Sequence, residues 1–178
     1  MESSDKPYLP IRLLATVSML TAMELALAAV ESLFSPLIPF PGVKLGLANI
    51  VTLVAFTIIK RRQVFLVVGM RLALAGLVLG TFLTPTFWIS CGGGLLSFLA
   101  MAACYGRRHI SIVGISLAGA AVHNMGQLIV VSFLMANRAI FYYLPWLLIW
   151  SVPMGLFTGL AAKSAIRALD GLGIHAKK

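Results

Sequence analysis

Apolar residues fall into six runs separated by short polar or glycine- and proline-rich breaks: about Ile11 to Phe34, Lys44 to Ile59, Val64 to Leu83, Phe87 to Tyr105, Ile112 to Met135 and Phe141 to Ala162. Most approach the roughly 20 residues an α-helix needs to cross a bilayer. The pattern predicts an all-α, polytopic membrane protein with six transmembrane helices. The first run is too long for a signal-peptide core and reads as a retained helix. Residues 1–10 form a short polar lead, 11–165 a single transmembrane domain and 166–178 a basic tail.

Composition agrees, with 60% hydrophobic and 11% charged residues and a mean hydropathy of +1.00, values unsuited to a water-facing surface. The net charge of +9 is better explained by position than by nucleic acid. If six spans alternate, Lys6, Arg12, Lys60, Arg61, Arg62, Arg107, Arg108, Lys163, Arg167, Lys177 and Lys178 share one side. The other side receives only Lys44 and Arg138. Basic loops stay in the cytoplasm and attract anionic lipid heads, so both termini are expected there.

Against this background a few polar residues stand out. Glu24, Glu31, Asn49, Arg71, His123, Asn124 and Gln127 all lie within apolar runs, where ionisable groups are costly and mark pathways or ligand sites. At about 1.5 Å per residue, Glu24 lies about 18 Å beyond Arg12 and Arg71 about 14 Å beyond Arg62. Both fall near the midplane. Glu31, Lys44, Asn49 and Gln127 fall in the outer half, and His123 and Asn124 at or just outside the centre. The map predicts a pocket opening outward. The competing expectation is that Glu24 pairs with Arg71, while His123, Asn124 and Gln127 bond neighbouring helices.

Helical periodicity assigns faces to these residues. Glu24 and Glu31 share one side of the first helix, and Ala15, Ser18, Ala22, Ala26 and Ala29 line the opposite side. Gly69, Ala73, Gly76 and Gly80 form a small-residue stripe opposite Arg71, while Ser116, Ala120, His123 and Gln127 oppose Gly114, Ala118 and Ala121. Small stripes let helices approach closely in lipid. With Glu24 turned to the pocket, the Ala22, Ala26 and Ala29 face is expected to meet a partner subunit. Ser35 to Val43, with three prolines and a glycine, suits a stiff loop able to cover the pocket. Gly92, Gly93 and Gly94 suit a local break or a close backbone approach. Trp146 and Trp150 suit interface anchoring or stacking on a ligand ring.

Catalytic signatures are sparse. Cys91 and Cys104 lie about 20 Å apart along one helix, too far to bridge, and no zinc or haem spacing occurs. No Gly-x-x-x-x-Gly-Lys-Ser/Thr loop is present, so ATP hydrolysis would need a partner.

Two segments carry a family resemblance: Pro39-Phe40-Pro41-Gly42-Val43-Lys44-Leu45-Gly46-Leu47-Ala48-Asn49, and Ala118-Gly119-Ala120-Ala121-Val122-His123-Asn124-Met125-Gly126-Gln127. Together they resemble the Gx transporters, also called heptaprenyl diphosphate synthase component I. That family is similar to the substrate-binding S components of bacterial energy-coupling factor (ECF) transporters. The resemblance implies a six-helix bundle in the bacterial inner membrane that binds a vitamin-like small molecule from outside. It also implies a transmembrane coupling subunit and two ATPases as partners, docked through an Ala-x-x-x-Ala pattern that Ala22-Met23-Glu24-Leu25-Ala26 matches. The enzymatic label meets a chemical objection. Prenyl elongation needs clustered aspartates to hold magnesium on a diphosphate, and this chain has only Asp5 and Asp170. The expectation is a binding subunit, not an enzyme, with neither metal nor cofactor. The alternative is a membrane accessory of prenyl or quinone synthesis.

Overall fold

A computed structural model of the chain describes residues 11–34 and 46–172. The expected loop Ser35 to Val43, Lys44 and both chain ends lie outside the described residues. Six α-helices are present among those described: α1 (Ile11–Phe34), α2 (Leu47–Ile58), α3 (Arg61–Val78), α4 (Pro85–Cys104), α5 (Ile112–Leu134) and α6 (Leu144–Gly171), with a 3₁₀ turn over Arg138–Tyr143. Each corresponds to one apolar run. α1, α4, α5 and the segment Arg138–Gly171 are long and apolar enough to cross a membrane.

The other two helices depart from the simple picture for separate reasons. α3 is long, but it carries Arg61, Arg62 and Arg71, so its apolar character is diluted. α2 has only 12 residues, about 18 Å of helix, against a hydrocarbon core of about 30 Å. Its start is fixed by Gly46, whose φ of 74° is left-handed and favours a residue without a Cβ. α6, by contrast, runs on to Gly171 and takes up the first residues of the expected basic tail.

The short α2 is the hub of the bundle. It packs against α1, α3, α5 and α6, while α1 meets α3, α3 meets α4, α4 meets α5 and α5 meets α6 around it. Ala48, Val51, Thr52, Leu53, Ala55 and Phe56 of α2 are all buried. The central position explains how an apolar helix too short to span on its own is accommodated: protein, not lipid, surrounds it.

One half of the bundle is solid. Leu20, Leu53, Phe56, Val64, Val67, Val68, Phe98, Met101 and Ile115 form a continuous core, with Phe56 stacked between Phe98 and Tyr105 at centroid distances of 5.8 and 5.1 Å. The same end carries the basic turns. Arg61 Nη2 donates to the Tyr105 carbonyl at 2.5 Å, tying the α2–α3 turn to the α4–α5 turn and placing the two basic clusters together.

The glycine triplet of α4 does not break the helix, which continues through it to Cys104. Each glycine instead admits a different neighbour. A Cβ on Gly92 would meet Val130 and the Gly126 carbonyl, one on Gly93 would meet His123 and Gln127, and one on Gly94 would meet Leu72 and Arg71. Of the glycines in the α3 stripe, Gly76 is pressed by a neighbour, the Phe87 ring, whereas Gly69 and Gly80 have open space where a side chain would be. The expected stripe on α3 is therefore not a continuous packing seam, because Arg71 already turns the polar side of that helix inward.

Candidate functional site

The half of the bundle remote from the basic turns is hollow. A cavity of about 450 Å³ is lined by the end of α1 (Ala28, Glu31, Ser32), the start of α2 (Gly46, Ala48, Asn49), one side of α3 (Arg71, Leu72, Ala75, Gly76), Leu79 and Thr81 beyond it, the start of α4 (Thr86, Phe87, Ser90) and His123 of α5. Four expected site residues on four different helices, Glu31, Asn49, Arg71 and His123, thus share one void. The volume lies within the roughly 300–1,000 Å³ typical of small-molecule sites.

The inner end of the cavity is an ion pair. Arg71 Nε lies 3.3 Å from Glu24 Oε2, and the side chain of Glu24 is 0% exposed against 11% for that of Arg71. Thr52 Oγ1 donates to the other carboxylate oxygen, Oε1, at 2.5 Å. Glu24 therefore stands behind the cavity and holds the guanidinium, while Arg71 itself reaches the void. Glu24 and Arg71 pair, as the competing expectation has it, and Arg71 also borders the cavity.

Glu31 is committed differently. Gly46 N–H donates to its Oε1 at 2.8 Å and Leu47 N–H to its Oε2 at 3.1 Å. Gly46 offers no side-chain cap to α2, so a carboxylate from α1 supplies the acceptor that the helix start lacks and sits where the helix dipole favours negative charge. Glu31→Ala should lower stability by about 1–2 kcal/mol, with Glu31→Gln intermediate, read as thermal unfolding of the purified protein in detergent micelles.

The remaining polar residues divide between the cavity wall and the helix seams. His123 and Gln127 both lie against Gly93. Gln127 is buried and does not line the void; its Oε1 has no hydrogen-bond partner among the described residues. Asn124 points to α6, where its Nδ2 donates to the Leu147 carbonyl at 2.9 Å. Ser116 bonds Thr158 of α6 at 2.8 Å. The expected polar stripe of α5 is thus shared between α4 and α6. Trp146 is exposed, Trp150 packs near Leu128 and Leu147, and neither lines the cavity. On α1, Ala15, Ser18, Ala22 and Ala26 are exposed and Ala29 half-buried, so that face is left open by the rest of the chain. No group of acidic, histidine or cysteine side chains suited to a metal ion occurs among the described residues.

Periodicity alone did not single out Thr52, Thr86, Phe87 or the Gly92–Gly126 contact. Thr52 sits in an apolar run without a charge to draw notice. The Gly119 and Gly126 spacing of seven residues, two helical turns, is the legible trace of the α4 seam.

The fold and cavity define a multi-pass helical membrane protein with an internal polar site. A profile of the family described as heptaprenyl diphosphate synthase component I matches residues 20–165, and the chain belongs to that family. No curated protein and no solved structure matches it.

Proposed function

We propose that this chain is the substrate-capturing subunit of a transporter in the bacterial inner membrane, with six spans and both termini in the cytoplasm. It binds a small organic molecule from outside and passes it inward with ATPase-driven partners. The observation that carries this reading is the cavity: Arg71, Glu31, Asn49 and His123, drawn from four helices, border one void of about 450 Å³. Costly polar groups gathered around a shared space are more than six helices need for adhesion. Both cavity-side carboxylates are engaged, one by Arg71 and one by the α2 amides, which favours binding over catalysis.

The exposed Ala22 and Ala26 face of α1 suits a transmembrane coupling subunit, since small residues allow close helix approach. Ala22→Leu with Ala26→Leu should leave ligand binding intact and abolish co-purification of the coupling subunit. Full association of that double variant would count against this docking face. In proteoliposomes, the chain alone should bind substrate without concentrating it, and uptake should require ATP and the partners. Uptake driven by an ion gradient with this chain alone would overturn the proposal in favour of a stand-alone carrier.

The family description supports a second reading, a membrane accessory of heptaprenyl diphosphate or quinone synthesis. It predicts that adding the chain alters the output or chain length of a soluble prenyl synthase. An unchanged product profile would remove it.

A further inference from the structure

If the chain captures a small molecule as proposed above, the polar groups already engaged at the cavity restrict the class of molecule it accepts. Two carboxylates and one guanidinium border or back the cavity among the described residues: Glu31, Glu24 and Arg71. Among these three fixed charges the negative ones are in excess, partly offset by the α2 helix start that Glu31 caps. Both carboxylates have partners, so neither is presented as a free anchor for a cation.

Two of the groups at the void offer donors. Arg71 makes no hydrogen bond to a described residue beyond its contact with Glu24 through Nε, which leaves the Nη edge for the void. Gly94 gives that edge its room, since a Cβ there would lie 3.2 Å from Nη2. Asn49 lines the same void and its amide donates to no described residue. The rest of the wall mixes apolar side chains, Leu72, Leu79 and Phe87 among them, with the hydroxyls of Ser32, Thr81, Thr86 and Ser90 and the His123 imidazole. Gly76 seats the Phe87 ring, for a Cβ there would come within 2.7 Å of it.

From this balance we infer that the cavity takes an uncharged, carbonyl-bearing ring compound, its carbonyl oxygens on Arg71 Nη and the Asn49 amide and its body against Phe87 and Leu72. A diphosphate or other polyanion would add negative charge where, among the described residues, carboxylates already outnumber the guanidinium, at a depth where uncompensated charge is costly. A compound with acceptors and no formal charge satisfies the free donors without that penalty.

The test uses the full-length protein in lipid nanodiscs, incubated with a bacterial small-molecule extract and washed. Bound molecules are released with acidified methanol and identified by mass spectrometry in both polarities. A neutral carbonyl compound should be recovered stoichiometrically. Its recovery should fall about ten-fold, the equivalent of one to two lost hydrogen bonds, in Asn49→Ala and again in the charge-balanced double variant Glu24→Gln, Arg71→Gln. Gel filtration and circular dichroism establish that both are folded. A stoichiometric anion or cation, or a neutral compound held equally by wild type and both variants, overturns the inference and leaves the capture reading standing. Folded wild-type protein that retains no small molecule overturns the capture reading itself.

Discussion

Arg71→Gln should be the most damaging single substitution among the polar site residues, costing about 3–5 kcal/mol, because it strands a carboxylate with no access to solvent. Glu24 is 0% exposed, and its neighbours on the polar side are Arg71 Nε and the Thr52 hydroxyl. Removing the cation leaves one neutral hydrogen bond to compensate a full charge. The reverse change, Glu24→Gln, should cost less, about 1–3 kcal/mol, because Arg71 borders the cavity and can turn its guanidinium toward water there. Removing both charges together should recover much of the loss, giving a coupling of about 1–3 kcal/mol in a double-mutant cycle. Reversible unfolding of the four proteins in mixed detergent micelles measures each corner of the cycle. Additive single effects would show that the pair does not act as a unit, and the argument for it as the cavity's inner wall would fail.

How far this arrangement could be read in advance depended on the kind of information each residue carries. The six helices were legible because lipid imposes a length and an apolar composition on most of them, and the starts and ends of α1 and α5 fall close to the edges of their apolar runs. The Glu24–Arg71 pair was legible because charges inside apolar runs are rare. Distance along the helices put them at similar levels. Facing was harder. Asn124 follows His123 directly, and a 100° step is enough to move one to the cavity wall and the other onto the Leu147 carbonyl of α6. Periodicity defines two sides of a helix but not which neighbour takes each side. The fate of Glu31 was hidden for a similar reason: its partners are backbone amides of Gly46 and Leu47, and backbone groups leave no mark in a sequence. The length of α2 was obscured because apolar residues on both flanks extend the run beyond the helix itself. That a central helix can be short becomes apparent only once its neighbours are known.

The second large effect is expected at the seam between α4 and α5. A Cβ on Gly126 would lie 2.5 Å from the Gly92 carbonyl oxygen, 2.9 Å from its carbonyl carbon and 3.1 Å from Gly93 Cα. All three are backbone atoms of a continuous helix, so no side-chain rotation relieves the contact and α4 and α5 must separate. Gly126→Ala should therefore cost about 1–3 kcal/mol, the usual range for overpacking, even though alanine is the better helix former by about 1 kcal/mol. Gly126→Leu should prevent folding. Gly69→Ala supplies the contrast, because nothing lies within 4 Å of the added carbon there; only the propensity gain operates and the variant should unfold at the same or a higher temperature. The seam also sets the cavity. Gly93 faces both His123 and Gln127, so parting the helices at Gly126 withdraws the imidazole from the wall it shares with Arg71 and Asn49. Gly126→Ala should accordingly weaken retention of a bound small molecule even at temperatures where the protein remains folded, whereas Gly69→Ala should not. If Gly126→Ala proved as stable and as ligand-competent as wild type, the close backbone approach would be wrong, and with it the placement of His123 beside the cavity.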